Sequence, residues 1–405
     1  MIQRIPSILL YLLLLLLLLL PVQLGHFFFY NFSYISGVKI DYLAPVLYLT
    51  DIIAIVLITI NIRTLYQHTH KSFVIFILLM FLHIAIAQSP YILLFRIIKM
   101  VEIAALCIIA QNLKFEYKKI LFIFIGMGFL QLLLALLQMT QGSSMQGIWY
   151  FLGERSFDIS FAGIAKVSVN GLEILRPYGT FSHPNSLAGF YLLVYTLVLF
   201  SKKYSPYTLP KYVLLGICSM LVFLSFSKVA IMTHVLITTY YALHDIRRAC
   251  WLCNISKIAA VFFVGFFFFM GHGDPNTIAK RLYLASSSLH ILGQHPLGTG
   301  LGNYLYAQSH IPNPYPYHFL EPVHNIFLLS LTELGIPLFL YAVYLLYPYL
   351  KKIWEHDTGR ALIMAICITG MFDHYWLTLQ QNMLLFPLFL GLLKYEDKYD
   401  KIERT

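Results

Sequence analysis

The chain contains little charge. Of its 405 residues, 59% are apolar and only 11% are charged, and the mean hydropathy is +0.73. Soluble domains carry about a quarter charged residues, so this composition excludes a water-soluble fold. At roughly 20 apolar residues per crossing, the chain has room for about twelve membrane crossings and their loops. We therefore predict an all-α polytopic membrane protein that forms a single transmembrane domain over residues 1–405.

Cysteine pairs and nucleotide-binding motifs are also scarce. Five cysteines are too few and too scattered for a disulfide framework. The solitary Cys250-Trp-Leu-Cys253 has no second ligand pair nearby. There is no Walker A motif and no Asp-x-Asp, which argues against ATP hydrolysis and against a metal-bound nucleotide-sugar donor. Gly298-x-Gly300-x-Gly302 lacks the strand–turn–helix context of a dinucleotide fingerprint, and we interpret it as a flexible loop.

Long apolar runs supply the predicted membrane crossings. They lie at 7–24, 43–62, 72–88, 91–111, 120–139, 184–200, 212–225, 228–243, 258–271, 325–350, 361–376 and 380–393. With the N-terminus in the cytoplasm, 19 of the 28 lysines and arginines fall in inner segments and 7 in outer ones. This is the positive-inside pattern. It predicts cytoplasmic termini and explains the net charge of +10 without a nucleic-acid partner.

Two predicted outer loops, 140–183 and 272–323, are long compared with the other connections. Long loops in a compact protein are usually functional or disordered. In the second, Asp274-Pro275 can start a helix, and apolar residues then recur at helical spacing. These residues are Ile278, Leu282, Ala285, Leu289 and Leu292. We predict an amphipathic helix over about 275–292 on the outer membrane face, ended by the glycines that begin at Gly293.

A first candidate site is the segment Arg176-Pro-Tyr-Gly-Thr-Phe-Ser-His183-Pro184-Asn185. Ser182 or His183 can cap the helix that follows, with proline near its first position. The free N–H groups of that helix end suit an anion, and the planar guanidinium of Arg176 fits phosphate oxygens. The alternative is that Arg176 reaches lipid headgroups and His183 is only a cap.

A second candidate is Glu321-Pro322-Val-His324-Asn325, which opens the tenth apolar run. A histidine that is neutral near pH 7 can take a proton from an attacking hydroxyl. Glu321 can orient it if the turn brings the two side chains together. The alternative is that His324 is a structural residue at the membrane interface.

Basic residues add to both candidates. Arg281, beside Lys280, lies in the first turns of the predicted outer helix, where an isolated basic pair is usually solvated. However, two helix N-termini, two arginines and a histidine fall on one predicted face, which indicates a pyrophosphate-binding, hydroxyl-activating site. The dispersed outer carboxylates predict no metal site, and we expect no cofactor. The candidate substrate-binding residues are His183, Asn185, Asn325, Glu321, Lys280 and Arg96.

Charged residues also interrupt the fourth apolar run. Arg96, Lys99 and Glu102 lie on one helix face, and charges inside a bilayer normally face a cavity or a partner. Lys99 and Glu102 are expected to pair, whereas Arg96 can reach a lipid-linked phosphate. Asp51 and the Asp373-His374 pair are interpreted as internal hydrogen-bonding groups.

Three segments carry a resemblance to a known family. They are 176–188, which begins at Arg176; 281–304, from Arg281-Leu-Tyr-Leu-Ala to His295-Pro-Leu-Gly-Thr-Gly-Leu-Gly-Asn-Tyr304; and His324-Asn-Ile-Phe-Leu-Leu-Ser-Leu-Thr-Glu333-Leu-Gly-Ile-Pro. In their order and spacing the chain resembles the O-antigen ligase and polymerase superfamily of bacterial polytopic membrane proteins. Ser225-Phe-Ser-Lys228 is similar to that family's Ser-Arg turn, with lysine in place of arginine. The resemblance covers roughly residues 170–350.

The resemblance implies an inverting, metal-independent glycosyltransferase with a GT-C-like fold in the bacterial inner membrane. It would move a glycan from undecaprenyl pyrophosphate to a hydroxyl acceptor at the periplasmic face. In a ligase of lipopolysaccharide biosynthesis, that acceptor is a lipid A–core sugar. By position, Arg176 and Arg281 would hold the pyrophosphate, and His324 would be the general base or would position the acceptor hydroxyl.

Other functions remain open at this point. A surface-polysaccharide polymerase shares the same motifs, although the length and the moderate outer loop favour a ligase. A flippase for the same lipid-linked glycan would explain the charges of the fourth run. Against it, the halves show no internal repeat, and the polar groups gather on one face and not at the midplane. A structural scaffold of the cell envelope is a third class.

Overall fold

The computed structural model describes residues 5–113, 115–169, 171–244, 275–317 and 319–402. This part of the chain is mostly helical. The predicted ninth apolar run at 258–271, the Cys250–Cys253 pair and the predicted cap Asp274 lie outside the described residues. The prediction of a mainly α-helical protein is confirmed for the described part.

The helices follow the apolar runs closely. They are α1 (Ile5–Leu19), α2 (Leu49–Ile60), α3 (Ile62–His68), α4 (Lys71–Phe81), α5 (Pro90–Asn112), α6 (Tyr117–Gln141), α7 (Ile148–Phe151), α8 (Pro184–Phe200), α9 (Thr208–Leu224), α10 (Lys228–His244), α11 (Pro275–Gln294), α12 (Tyr304–Ser309), α13 (Ile326–Trp354), α14 (Asp357–Gly370), α15 (Tyr375–Thr378) and α16 (Gln380–Ile402). Short 3-10 turns lie at Asn31–Ser33, Asp41–Leu43, Leu82–Ala85 and Lys202–Tyr204.

Short antiparallel strands fill two of the connections. They are β1 (Gly25–Phe27), β2 (Tyr34–Ile35), β3 (Val38–Lys39), β4 (Val46–Tyr48), β5 (Lys166–Val169) and β6 (Leu172–Leu175). β1 pairs with β4, β2 with β3, and β5 with β6. The second apolar run was predicted to be helical from residue 43, which was wrong: residues 46–48 pair with β1, so the helix starts at Leu49.

Helix α8 forms the centre of the protein. Every residue from Ser186 to Phe200 is buried, and a helix that is apolar on all sides belongs inside a core. Helices α9, α10, α14 and α16 pack around it. The side chains at the N-terminus of α8, His183 and Asn185, are therefore surrounded by other elements and not by solvent alone.

Few of the described helices are long and apolar enough to cross a membrane alone. Tyr117–Gln141 and Ile326–Trp354 pass a test of length and composition, and Leu49–Ile60 with Ile62–His68, bent by 75°, would make a third crossing. Helices α8 and α9 have 17 residues each, and α5 carries the three charges of Arg96, Lys99 and Glu102. The topology of twelve crossings stays a prediction.

Helix α11 confirms the predicted helix of the second loop and extends it to Gln294. Its two faces differ. Leu284 and Ile291 are buried against the rest of the protein, whereas Ile278, Leu282 and Leu289 are exposed. Three of the five residues of the predicted apolar stripe are thus exposed, and the position of this helix on the outer membrane face stays a prediction.

Helix α13 contains a break at Gly335, whose φ of 72° and ψ of 168° are not helical. The chain before α12 packs into this break. Gly300 N donates to Glu333 O over 2.9 Å, and Ile336 N donates to Pro296 O over 2.9 Å. The interpretation of the Gly298–Gly302 segment as a flexible loop was wrong, because these bonds tie it to the backbone of α13.

Two of the three charged side chains of α5, those of Lys99 and Glu102, form ion pairs. Lys99 forms ion pairs with Asp51 of α2 and with Glu102, the latter at 3.2 Å. All three side chains are buried, and Gln380 of α16 donates to Asp51. The expected pair of Lys99 and Glu102 is confirmed, and Asp51 is a further partner on another helix.

Gly335 gives a direct test of the break in α13. A Cβ at this position would lie 2.1 Å from the carbonyl carbon of Leu297, and the backbone conformation there is one that only glycine adopts readily. We expect Gly335→Ala to lower the free energy of unfolding by about 3 kcal/mol or more, measured by thermal unfolding in detergent.

The matched control is Gly216→Ala in α9, where a new Cβ meets nothing within 4 Å. This change should be neutral or stabilise the protein by up to about 1 kcal/mol, because alanine favours helix more than glycine does. Equal unfolding temperatures for the two variants would show that the break does not require glycine.

Candidate functional site

Two buried glutamines of α6 hold the loop that leads into α8. Gln138 Oε1 accepts from the backbone N–H groups of Tyr178 (3.0 Å) and Gly179 (2.8 Å), and Gln131 Oε1 accepts from Thr180 N (3.1 Å). Buried polar groups are stable only when they are hydrogen-bonded, so these bonds fix the loop. Neither glutamine was predicted from the sequence. Their spacing of seven residues on an apolar helix was the available indication.

The fixed loop directs Arg176 toward the start of α8. Arg176 Nε donates to Ser225 O over 2.8 Å, and Nη2 donates to Asn185 Oδ1 over 2.6 Å. Burial lowers the pKa of Arg176 to about 10, which still leaves the guanidinium charged at neutral pH. Two of its five N–H donors are used in these bonds, so Arg176 has further donors for a ligand.

His183 caps α8 as predicted. Its Nδ1 accepts from Asn185 N over 3.1 Å, and Pro184 is the first helical residue. Burial, with the nearby charge of Arg176, lowers the pKa of His183 to about 3. The imidazole is therefore neutral, and it is the acceptor of the capping bond.

His324 lies between two carboxylates. Its Nε2 is 3.5 Å from Glu321 Oε2, and its Nδ1 is 3.7 Å from Asp373 Oδ1. Burial lowers the pKa of His324, but contact with Asp373 and Glu321 outweighs burial and raises it to about 9. Burial in turn raises the pKa values of Asp373 and Glu321, yet the His324 charge holds both below their usual range. The structure thus brings Glu321 to His324 as the sequence suggested.

Asp373 connects His324 to Arg176. Asn185 Nδ2 donates to Asp373 Oδ2 over 2.8 Å, while Asn185 Oδ1 accepts from Arg176. The result is a continuous chain Arg176–Asn185–Asp373–His324, drawn from three separate parts of the sequence. We call it the polar chain. Asp373 is a hydrogen-bonding group as predicted, but its position beside His324 was not predicted from the sequence.

Asp373 occupies this position because α14 ends at Gly370. The predicted helical run 361–376 was wrong at its end, since Met371 to His374 form a non-helical turn before α15. Asn325 holds this turn from the other side. Its Oδ1 caps α13 by accepting from Phe327 N and Leu328 N, and its Nδ2 donates to Met371 O over 3.2 Å.

His374 lies next to His324, with ring centroids 5.1 Å apart. Its Nδ1 is 2.8 Å from Thr378 Oγ1, and burial lowers its pKa to about 4. Ligand atoms of His324, Asp373 and His374 lie within 4.8 Å of one another, so these three side chains could hold a metal ion. Both oxygens of Asp373 already accept hydrogen bonds, from Asn185 Nδ2 and from His374 N. A metal ion would have to replace these bonds.

The two basic residues of α11 lie in different surroundings. Burial is the largest cause of the lowered pKa of Arg176, and the charge of Arg281 adds to it. The charge of Arg281 also opposes the raised pKa of His324, so its guanidinium lies near both residues. Lys280 instead lies 5.2 Å from the ring centroid of Tyr317 and 5.5 Å from that of Phe319. Arg281 is therefore close to the polar chain, whereas Lys280 packs over aromatic rings.

Arg96 lies beside the polar chain and not within it. Its Nη2 donates to Tyr42 O over 3.1 Å, and the ring of Tyr42 contacts His374 edge-on. Arg96 lines a small cavity together with Tyr42, Glu333 and Thr378. The role of Arg96 in binding a lipid-linked phosphate stays a prediction.

Comparison with known proteins gives one family. Residues 180–343 match the family model described as O-antigen ligase. No match was found among curated proteins or among solved structures. The matched residues include His183, Asn185, Arg281 and His324, whereas Arg176 and Asp373 lie outside them.

The match covers two of the three motifs completely and most of the third, the segment 176–188. It begins within the segment that follows Arg176, spans the glycine-rich loop before α12, and ends inside α13. The resemblance to the O-antigen ligase superfamily is therefore confirmed over residues 180–343.

Proposed function

We propose that the protein is a membrane glycosyltransferase that moves a glycan from a lipid pyrophosphate to a hydroxyl acceptor, as an O-antigen ligase does. The observation that carries the proposal is the polar chain, which joins the guanidinium of Arg176 to a histidine with carboxylates on two sides. Two of its four members, Asn185 and His324, lie within the matched residues. In this proposal the donor is linked to undecaprenyl pyrophosphate, and the acceptor is a lipid A–core sugar. The protein lies in the bacterial inner membrane with cytoplasmic termini and a periplasmic active face.

Arg176 and Arg281 hold the pyrophosphate of the donor. Burial lowers the pKa of Arg176, and the charge of Arg281 lowers it further, so an anion bound near Arg176 would offset both effects. Pyrophosphate carries developing negative charge as it departs, and fixed cations aimed at that charge stabilise the transition state. His183 and Asn185 lie at the N-terminus of α8, whose partial positive charge acts in the same direction.

His324 takes the proton of the acceptor hydroxyl. That oxygen bonds to the anomeric carbon, the bond to the pyrophosphate oxygen breaks, and the proton passes to His324 with inversion at the sugar. Nδ1 is buried and faces Asp373, so Nε2, on the side of the exposed Glu321, is the receiving nitrogen. Asp373 and Glu321 orient the ring and stabilise the imidazolium that forms.

A polymerase of the same superfamily is the second candidate. The family match supports this reaction equally, because the same site would serve a growing glycan as the acceptor. A flippase is not favoured, because the polar chain gathers reactive groups at one end of the helices and not at their midpoint.

Substitution of His324 in the polar chain, or of Arg281 close to it, should lower the transfer rate strongly without unfolding the protein. We expect His324→Ala to lower the transfer rate by about 10²- to 10⁴-fold and Arg281→Ala by about 10²-fold or more. The measurement is a surface-glycan gel from a deletion strain that carries each variant. Arg155→Ala is the matched control, because Arg155 forms an exposed pair with Asp41.

The gel also separates the candidates. Glycan absent from the core but still present on the lipid carrier identifies a ligase, and a core that bears a single repeat identifies a polymerase. Loss of all outward-facing lipid-linked glycan identifies a flippase. Full activity of folded His324→Ala and Arg281→Ala would remove the proposed site.

The raised pKa of His324 predicts a pH dependence. A base must be neutral, and a pKa of about 9 leaves His324 mostly protonated at pH 7. For the purified protein in liposomes, kcat/KM should therefore rise about tenfold per pH unit below pH 9 and then level off. Asp373→Asn removes one of the charges that raise this pKa, so its profile should shift toward lower pH.

His324→Ala provides the control, since its residual activity should lack this dependence. A rate that falls as the pH rises through 9 would contradict the assignment, because it would require the protonated imidazolium as a hydrogen-bond donor.

A further inference from the structure

A long groove runs between α1 and α6, away from the candidate site. It is open along one side and has a volume of about 930 Å³. Its lining is almost wholly apolar except at one end. Its lining includes Leu14 of α1 and Lys118, Lys119, Phe122, Gly126 and Phe129 of α6.

The groove runs along only about half the length of α6. From Lys118 to Leu130 the helix rises about 18 Å, at about 1.5 Å per residue, and this is close to half of the roughly 30 Å hydrocarbon core of a bilayer. The other end of α6 carries Gln131 and Gln138, which hold the loop of the candidate site. A membrane lipid in the groove would thus occupy one leaflet, with its head at the end of α6 that lies far from the site.

That end of the groove carries surplus positive charge. Lys119 is already engaged: its Nζ lies 2.9 Å from Glu116 Oε1 and 5.2 Å from the ring centroid of Tyr11. Lys118 is exposed, and the structure gives it no ion-pair partner within the described residues. The first N–H groups of the 25-residue α6 add partial positive charge at the same level.

We propose that this groove binds an anionic glycerophospholipid of the surrounding bilayer, with the acyl chains along Phe122 and Phe129 and the phosphate at Lys118. Basic pockets between membrane helices on one side of a bilayer are recurrent sites for anionic lipid headgroups. The donor lipid of the transfer reaction does not fit here, because its pyrophosphate must reach Arg176 at the opposite end of α6. The site is independent of the proposed function.

Lipid binding to the purified full chain tests the proposal. In lipid-depleted detergent, native mass spectrometry would count bound phosphatidylglycerol and phosphatidylcholine with identical acyl chains. We expect wild type to bind phosphatidylglycerol about fivefold more tightly than phosphatidylcholine, because this is the effect of one lysine near an anionic headgroup. Lys118→Gln should remove this preference and leave the affinity for phosphatidylcholine unchanged.

Gly126→Leu tests the apolar part of the groove. A Cβ at Gly126 meets nothing within 4 Å, so leucine can fill the groove without distorting the helix, and binding of both lipids should fall. Gly216→Leu is the matched control, because Gly216 has the same open surroundings on α9. Circular dichroism and thermal unfolding would establish that each variant is folded.

Two results would overturn the proposal. One is equal affinity of wild type for the two lipids, which would show that no charged headgroup is recognised. The other is unchanged lipid binding by folded Gly126→Leu, which would place the lipid elsewhere. If Gly126→Leu does not fold, the comparison of wild type with Lys118→Gln still decides.

Discussion

The carboxylate of Asp373 is the group on which the site depends. It accepts hydrogen bonds from Asn185 at the start of α8 and from the backbone of His374, and it faces His324 before α13. A buried carboxylate is strongly unfavourable unless cations and donors surround it. The need to satisfy this one charge therefore draws three distant parts of the chain to the same place.

The three histidines near Asp373 differ in their pKa values. Burial lowers the pKa of His183 and of His374, to about 3 and about 4, so both remain neutral. Only His324 has carboxylates on two sides, and its pKa rises to about 9. Three imidazoles in one cluster thus differ in charge at neutral pH, because only His324 is in contact with both Glu321 and Asp373.

Much of the fold follows from local sequence pattern. Apolar runs predicted most of the described helices, proline and histidine predicted the start of α8, and helical spacing predicted α11. Local pattern could not predict the turn at Asp373, because Met371 and Phe372 continue the apolar character of α14 without a glycine or proline after Gly370. The break at Gly335 was equally hidden, since its cause is the packing of Leu297 and Gly298, almost forty residues earlier.

Local sequence pattern predicted only part of the candidate site. Charged residues at helix starts are visible in the sequence, so Arg176, Arg281 and His324 could be named. Gln131 and Gln138 lie within an apolar helix, where a glutamine has no local pattern that identifies its partner. Their role depends on a loop some forty residues later, and so does the role of Asn185 in joining Arg176 to Asp373.

The buried ion pairs of Lys99 also bear on how the chain enters a membrane. A helix with Arg96, Lys99 and Glu102 is a poor candidate for insertion by itself, since each charge would meet hydrocarbon. Asp51, the partner of Lys99, is synthesised about fifty residues earlier, so α2 is present when α5 leaves the ribosome. Gln380, which completes the Asp51 contacts, arrives almost last. Asp51 is thus synthesised before Lys99, the cation that it pairs with. The last helix, α16, then adds the hydrogen bond from Gln380 to Asp51.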